Sequence, residues 1–181
     1  MFREWKKFKG WVVLEYFMAH TSAKIHVKGL AEKLKISPGT SEIYLREYEK
    51  SGILKKEIAG NVHLYSLKNE NALVKSLKNA WLISKIMSSG FIESLKDDSI
   101  SIVLFGSSAS GEYDEKSDVD IMVITDKKIP HEDAANLESG LGKEVGLTVM
   151  NIFEWKKRKE NNDFFIKSIL KNHTILYGEE I

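Results

Sequence analysis

Asp118 and Asp120 stand two residues apart at the head of the apolar run Ile121-Met122-Val123-Ile124. In an extended strand, residues two apart project to the same face, so the two carboxylates share one side of a sheet. Carboxylates this close repel one another unless a cation lies between them. Mg2+ suits the pair, being a hard ion that takes oxygen ligands and commonly binds through one or two carboxylates plus substrate phosphates. Upstream, the run Ser101-Ile102-Val103-Leu104-Phe105 passes into Gly106-Ser107-Ser108-Ala109-Ser110-Gly111. Gly106 lets the backbone approach a ligand, Ser107 offers a hydroxyl, and a short helix starting there would aim N–H groups at a phosphate.

Strands must position these groups. The continuous apolar run Ser101–Phe105 is expected of a buried strand. Past Gly106-Ser107, the ten residues from Ser108 to Ser117 lead to a strand that begins at Asp118, a connection short for a helical crossover. The two strands are therefore predicted to be antiparallel neighbours, with Gly106-Ser107 and the aspartates on one sheet edge. A helix around Glu132 to Leu141 and a strand over Lys143–Met150 follow. In the tail, Trp155, Phe164, Phe165, Ile166 and Leu170 read as helical core. The basic run Lys156 to Lys159 is either a solvated face or a contact for nucleic acid or triphosphate. His131 and His173 lack metal-ligand spacing.

The stretch LFGSSASGEYDEKSDVDIMVIT resembles the DNA polymerase beta-like nucleotidyltransferase superfamily, specifically its minimal members, and the wider resemblance covers roughly Ser88 to Gly178. It implies transfer of a nucleoside monophosphate from an NTP to a hydroxyl, with pyrophosphate leaving. It further implies that Gly106, Ser107 and Ser117 bind nucleotide, and that Asp118 and Asp120 are the catalytic carboxylates, ligating two Mg2+ ions. Two positions depart from the pattern. Ser110 stands where relatives often carry Arg or Lys. Gly146 stands where they place a third carboxylate, and the nearest substitute, Glu144, lies two residues earlier on the same face, a displacement of nearly 7 Å. The departure should hurt chemistry more than nucleotide binding.

The N-terminal half shows helical spacing over Phe8–His20 and Val27–Lys35, then Ser37 as a cap and Pro38 opening a helix that ends at Ser51-Gly52. Ile53–Ile58 and Val62–Leu67 read as a hairpin around Ala59-Gly60-Asn61. The stretch LAEKLKISPGTSEIYLREYEKSGILKK, followed by GNVHLYSL, resembles the winged helix-turn-helix family. That resemblance implies a recognition helix over Ser37–Lys50 and a wing near phosphates, with Thr40, Tyr44, Arg46, Lys55 and Lys56 as DNA contacts. The recognition helix is net acidic, and the half's positive charge gathers in Arg3, Lys6, Lys7, Lys9 and in Lys24 to Lys35. A winged helix used for protein contacts or dimerisation is the other reading. Asn69–Met87 reads as one linker helix whose broad apolar stripe suits packing on both halves or on a second copy in a homodimer.

Charge follows the same division: 16 Lys and Arg against 8 Asp and Glu through Ser88, then 11 against 18. One half can meet a polyanion and the other can gather cations. With 43% apolar and 29% charged residues the chain is globular rather than disordered. It has no cysteine, which excludes disulfides and thiolate metal sites. No apolar run approaches the roughly 18 residues of a membrane span, and MFREWKKFKG has no signal-peptide core, so a cytoplasmic protein is expected.

The expected fold class is thus α/β (α+β): a winged-helix domain over residues 1–68, a linker helix over 69–88 and a minimal nucleotidyltransferase domain over 89–181, the last a small mixed sheet flanked by helices. The expected function is Mg2+-dependent nucleotidyl transfer to a protein or nucleic-acid acceptor, coupled to duplex DNA binding. The alternatives are a transcriptional regulator that binds nucleotide without turnover, and a dimerising scaffold with both sites degenerate.

Overall fold

The computed structural model describes residues 7–181, so Arg3 and Lys6 lie outside the described residues. Helix α1 (Lys9–Ala19) buries Val13, Leu14, Phe17 and Met18 along one face. Helix α2 (Val27–Leu34) starts where the His26 ring accepts the Gly29 N–H at 3.0 Å, and it stops at Lys35, which is left-handed with φ 53°. Helix α3 (Pro38–Lys50) opens on Ser37, whose hydroxyl accepts the Thr40 N–H at 3.0 Å, with Pro38 in the first turn where its missing donor costs nothing. Strands β1 (Leu54–Ala59) and β2 (Val62–Leu67) pair antiparallel from Leu54↔Leu67 to Ala59↔Val62, leaving Gly60 and Asn61 as the turn. A bridge between Ile25 and Tyr65 ties the α1–α2 connection to β2. Phe17, Leu30, Leu45, Leu54, Tyr65 and Leu67 are buried here.

Helix α4 (Ala72–Ser88) buries Val74, Lys78, Trp81, Leu82 and Ile86, a stripe at spacings of three and four, while Leu73 is half exposed at 51%. The chain falls into two compact units, Met1–Lys78 and Asn79–Ile181, whose boundary lies inside α4.

The second unit continues with a short helix α5 (Phe91–Leu95) and a 3₁₀ turn, Lys96–Asp98. Strand β3 (Ser101–Phe105), helix α6 (Gly106–Ser110), strand β4 (Val119–Ile124), helix α7 (His131–Leu141) and strand β5 (Val145–Met150) follow, then helices α8 (Ile152–Glu160) and α9 (Phe164–Lys171) and strand β6 (His173–Gly178). The sheet runs β5-β4-β3-β6. β3 is antiparallel to both β4 and β6, as the short β3–β4 connection requires, whereas β4 and β5 are parallel and joined through α7. The result is a mixed α/β unit with a four-stranded mixed sheet flanked by helices.

One sheet face packs Val103, Phe105, Met122, Ile124 and Met150 against Trp155 of α8 and Ile166 and Ile169 of α9. The other carries Ile102, Leu104, Ile121 and Val123, all fully buried. Two strand starts differ from the sequence reading. β4 begins at Val119 rather than Asp118, and β5 at Val145 rather than Lys143: Asp118 ends the connection before β4, where its carbonyl accepts Ser108 Oγ, and Lys143 lies in the connection before β5, with its ammonium on the Asp114 carbonyl. Beyond the residues expected as helical core, the tail closes with β6. His173 to Tyr177 are all half-buried, so the strand shows no alternation of apolar and polar positions to betray it. Among the described residues no helix is long and apolar enough to cross a membrane.

Candidate functional site

Four residues line one end of the sheet on one face, in the order Gly146, Asp120, Phe105, His173. The register pairs Asp120 with Gly146 and Phe105 with His173, and the β3–β4 pairing of Leu104 with Ile121 sets Phe105 opposite Asp120. Alternation puts Asp120 on the side of Met122 and Ile124, the side covered by α8 and α9.

The Asp120 carboxylate sits between two glycines. Gly106, immediately after β3, has φ +67°, and a Cβ built there would lie 2.9 Å from Asp120 Oδ2. A Cβ at Gly146 would lie 3.0 Å from Asp120 Oδ1. Each carboxylate oxygen therefore faces a backbone with no side chain in between, and only glycine at 106 accommodates both the approach and the left-handed backbone. Burial raises the Asp120 pKa, and the nearby Asp118 charge raises it further. Asp118 is exposed, one residue ahead of β4.

Backbone contacts hold these groups in place. Ser108 Oγ donates to the Asp118 carbonyl at 3.2 Å, joining α6 to the start of β4. Asn79 Nδ2 donates to the carbonyls of Ser108 and Ala109 at 3.2 and 2.9 Å, fixing α6 from α4. The loop before Asp118 is a closed turn: Asp114 Oδ1 accepts from the N–H groups of Lys116 and Ser117 and from Ser117 Oγ, at 2.9–3.0 Å. The Ser117 hydroxyl, expected at nucleotide, is thereby engaged within the loop.

Lys143 is a residue that sequence spacing did not single out. Its ammonium donates to the carbonyls of Asp114 at 2.6 Å and Ser117 at 3.2 Å and lies 5.5 Å from the centre of the Tyr113 ring. Burial lowers its pKa, while the charges of Asp114, Glu115 and Asp118 pull it back up. Its only sequence signal is a lone lysine ahead of a strand, twenty-five residues past Asp118. The next residue, Glu144, accepts the Val119 N–H on its carbonyl at 2.9 Å. The parallel register, continued outward by one residue, sets Glu144 beside Asp118. Its side chain is exposed, and among the described residues no three His, Asp or Glu side chains converge as a metal site.

The donor set fits a divalent cation. Asp118 and Asp120 are hard oxygen donors with mutual repulsion to be relieved, and neither Gly106 nor Gly146 sets a side chain against the Asp120 oxygens. Among the described residues, Asp118 and Asp120 are the carboxylates paired by strand geometry at this edge, and Glu144 stands beside Asp118 with its side chain exposed.

The residues expected at DNA in the first unit have internal partners. Thr40 Oγ1 lies 2.8 Å from Ser37 Oγ within the α3 cap, and Arg46 pairs with Glu42 at 2.6 Å. Lys56 pairs with Glu49 at 3.0 Å. The Tyr44 ring packs edge-on to Phe8 at 5.8 Å and stacks with Tyr48 at 6.3 Å. Lys55 is exposed beside Glu57.

Residues 88–177 match the nucleotidyltransferase domain family. Solved structures resemble parts of the chain as well. One is a toxin–antitoxin crystal structure with AMP-PNP, 22% identical, covering 54% of this chain and 74% of that one with a TM-score of 0.40. Another is described as a nucleotidyltransferase from Sulfolobus solfataricus, 16% identical, covering 56% of this chain and 85% of that one with a TM-score of 0.29. No curated protein matches. The matched nucleotidyltransferase domain takes in the whole edge just described, from Gly106 to Gly146.

Proposed function

We propose that this protein binds an NTP with Mg2+ at the edge formed by Gly106, Ser107, Asp118 and Asp120, and transfers the nucleoside monophosphate to a hydroxyl acceptor. The observation that carries the reading is the Asp120 carboxylate, seated between two bare glycine backbones and pushed toward protonation by burial and by Asp118. Such a site is most comfortable when positive charge arrives with the ligand. Bound there, a divalent cation would neutralise charge at the α-phosphate and on the acceptor oxygen.

The chain's own groups position the reactants. Gly106 would admit the triphosphate close to the backbone, and the Ser107 hydroxyl would donate to its oxygens. Asp118 and Asp120 orient the reacting centre. The acceptor oxygen bonds to the α-phosphorus as the bond to the bridging oxygen breaks. Pyrophosphate leaves with that electron pair, and the hydroxyl proton passes to solvent. Catalysis of this kind rests on positioning and electrostatics.

The first unit, with three helices and a hairpin in the order of a winged helix-turn-helix, would meet duplex DNA through backbone charge. A second reading has its own support. Gly146 beside Asp120 leaves the site with two carboxylates, which favours a regulator that binds nucleotide without turnover.

Calorimetric titration with Mg2+·ATP and Mg2+·GTP tests the common core of both readings. Wild type should bind and an Asp118→Ala/Asp120→Ala double variant should not; equal binding by the two would remove the assignment. Pyrophosphate release with candidate acceptors then separates enzyme from regulator.

A further inference from the structure

The second unit is acidic except in one place. Residues 151–173 carry six Lys and Arg against three Asp and Glu, while the rest of the chain after Ser88 carries five against fifteen. Of the three acids in the segment, Glu154 and Asp163 are both paired with Arg158, at 3.6 and 3.1 Å. Lys156, Lys157, Lys167 and Lys171 are exposed, and no ion pair among the described residues engages them.

Each helix also presents a bare aromatic ring. Phe153 of α8 is 79% exposed and Phe164 of α9 is 87% exposed, although both helices bury apolar side chains on their inner faces. In both, lysines follow the ring at helical spacing. Phe153 is followed by Lys156 and Lys157 three and four residues on, and Phe164 by Lys167 and Lys171 three and seven residues on. Residues three, four and seven apart share a helix face, so each ring lies beside ammonium groups. The rings are isolated and surrounded by charge rather than joined in an apolar stripe. That pattern suits flat, anionic ligands better than lipid tails or a protein core: aromatic faces take bases and lysines take phosphates.

The face also leads to the nucleotide edge. After α9 the chain enters β6 at His173, opposite Phe105, and Asn172 accepts the Gly106 N–H on its carbonyl at 3.2 Å. Lys171 thus ends a helix that abuts the glycine turn, and Phe164 lies about 10 Å back along the same face.

We propose that the exposed face of α8 and α9 binds a single-stranded polynucleotide, with bases on Phe153 and Phe164 and phosphates on Lys156, Lys157, Lys167 and Lys171. In the reaction proposed above, which this inference extends, such a strand is the acceptor, its terminal hydroxyl delivered to the edge at Gly106. The binding itself does not depend on turnover.

The test uses the full chain and labelled mixed-sequence single-stranded RNA and DNA, titrated with and without excess unlabelled duplex to occupy the first unit. Phe153→Ala and Phe164→Ala should each weaken single-strand binding roughly tenfold. Lys167→Gln/Lys171→Gln should flatten the slope of log affinity against log salt by about 1.4, the share of two phosphates on a single strand. All of these variants should bind Mg2+·ATP as wild type does, which also shows that they fold. Absence of single-strand binding, or binding indifferent to all four substitutions, overturns the proposal. So does loss on substitution of binding to anionic phosphatidylserine vesicles alone. If single strands bind this face while Mg2+·ATP fails to bind wild type, the face stands and the nucleotide reading falls.

Discussion

In the proposed reaction, turnover hinges on Gly146. It pairs with Asp120, and a Cβ there would come within 3.0 Å of an Asp120 oxygen, so Gly146→Asp would set a third carboxylate directly against the first two. Without metal the added repulsion should lower the melting temperature; with Mg2+ much of that loss should be recovered, and pyrophosphate release should rise. Thermal melts in EDTA and in Mg2+ check the first half, and an acceptor assay the second. Glu144→Gln resolves the remaining carboxylate: activity lost in that variant would make Glu144 the third ligand, reached through movement of its exposed side chain. Lys143 acts one step removed. Lys143→Met leaves the carbonyls of Asp114 and Ser117 without their donor and loosens the turn ahead of Asp118. Mg2+·NTP affinity should fall about fivefold, a modest loss because the ammonium is only partly shielded from water. Lys143→Arg, which retains a donor and a charge, should recover part of it in the same titration.

At the scale of elements, the α8–α9 junction carries a testable electrostatic clamp. Asp163 caps α9 by accepting the N–H groups of Phe165 and Ile166, and it also receives Arg158 through two nitrogens at 3.1 and 3.3 Å. The Arg158 contact, foremost, and these N–H groups lower the Asp163 pKa below its ordinary value. A depressed folded-state pKa means stabilisation that is complete above the unfolded value of about 3.9 and disappears as pH falls through the folded value below it. Asp163→Asn keeps a capping oxygen but cannot ionise. Its melting temperature should therefore lie below wild type near neutral pH and converge with wild type in acid, which a pair of melting curves across that range would show. Much at this scale is legible in the chain: Ser37-Pro38 opens α3, and Gly60-Asn61 turns the hairpin, because caps and tight turns depend on side chains within a few residues. β6 was not legible, since its identity comes from pairing with β3, some seventy residues earlier.

For the molecule as a whole, the charge division predicts how the proposed contact with duplex DNA would behave. Affinity should come from phosphate contacts and fall steeply with salt. The α3 surface limits it, since Arg46 is held by Glu42 and Lys56 by Glu49. Glu42→Gln should release Arg46 and remove a charge facing the backbone, raising duplex affinity roughly threefold in a retardation assay at fixed low salt. An unchanged affinity, or no retardation of any duplex by wild type, would assign the first unit to protein contacts.

The amino-acid order alone determined the two strands that flank the site, their antiparallel pairing, and the placing of Gly106 beside the aspartates, because a short connection leaves the chain little choice. Its resemblance to the nucleotidyltransferases also marked Gly146 as a departure from their pattern. Only the tertiary structure brought Gly146 against Asp120, since a parallel pair joined through α7 has a register that no local rule dictates. The same holds for Lys143 on the loop carbonyls and for the approach of α9 to the Gly106 turn. Each joins residues far apart in sequence through backbone groups, which carry no residue-type signature and acquire partners only when the sheet closes.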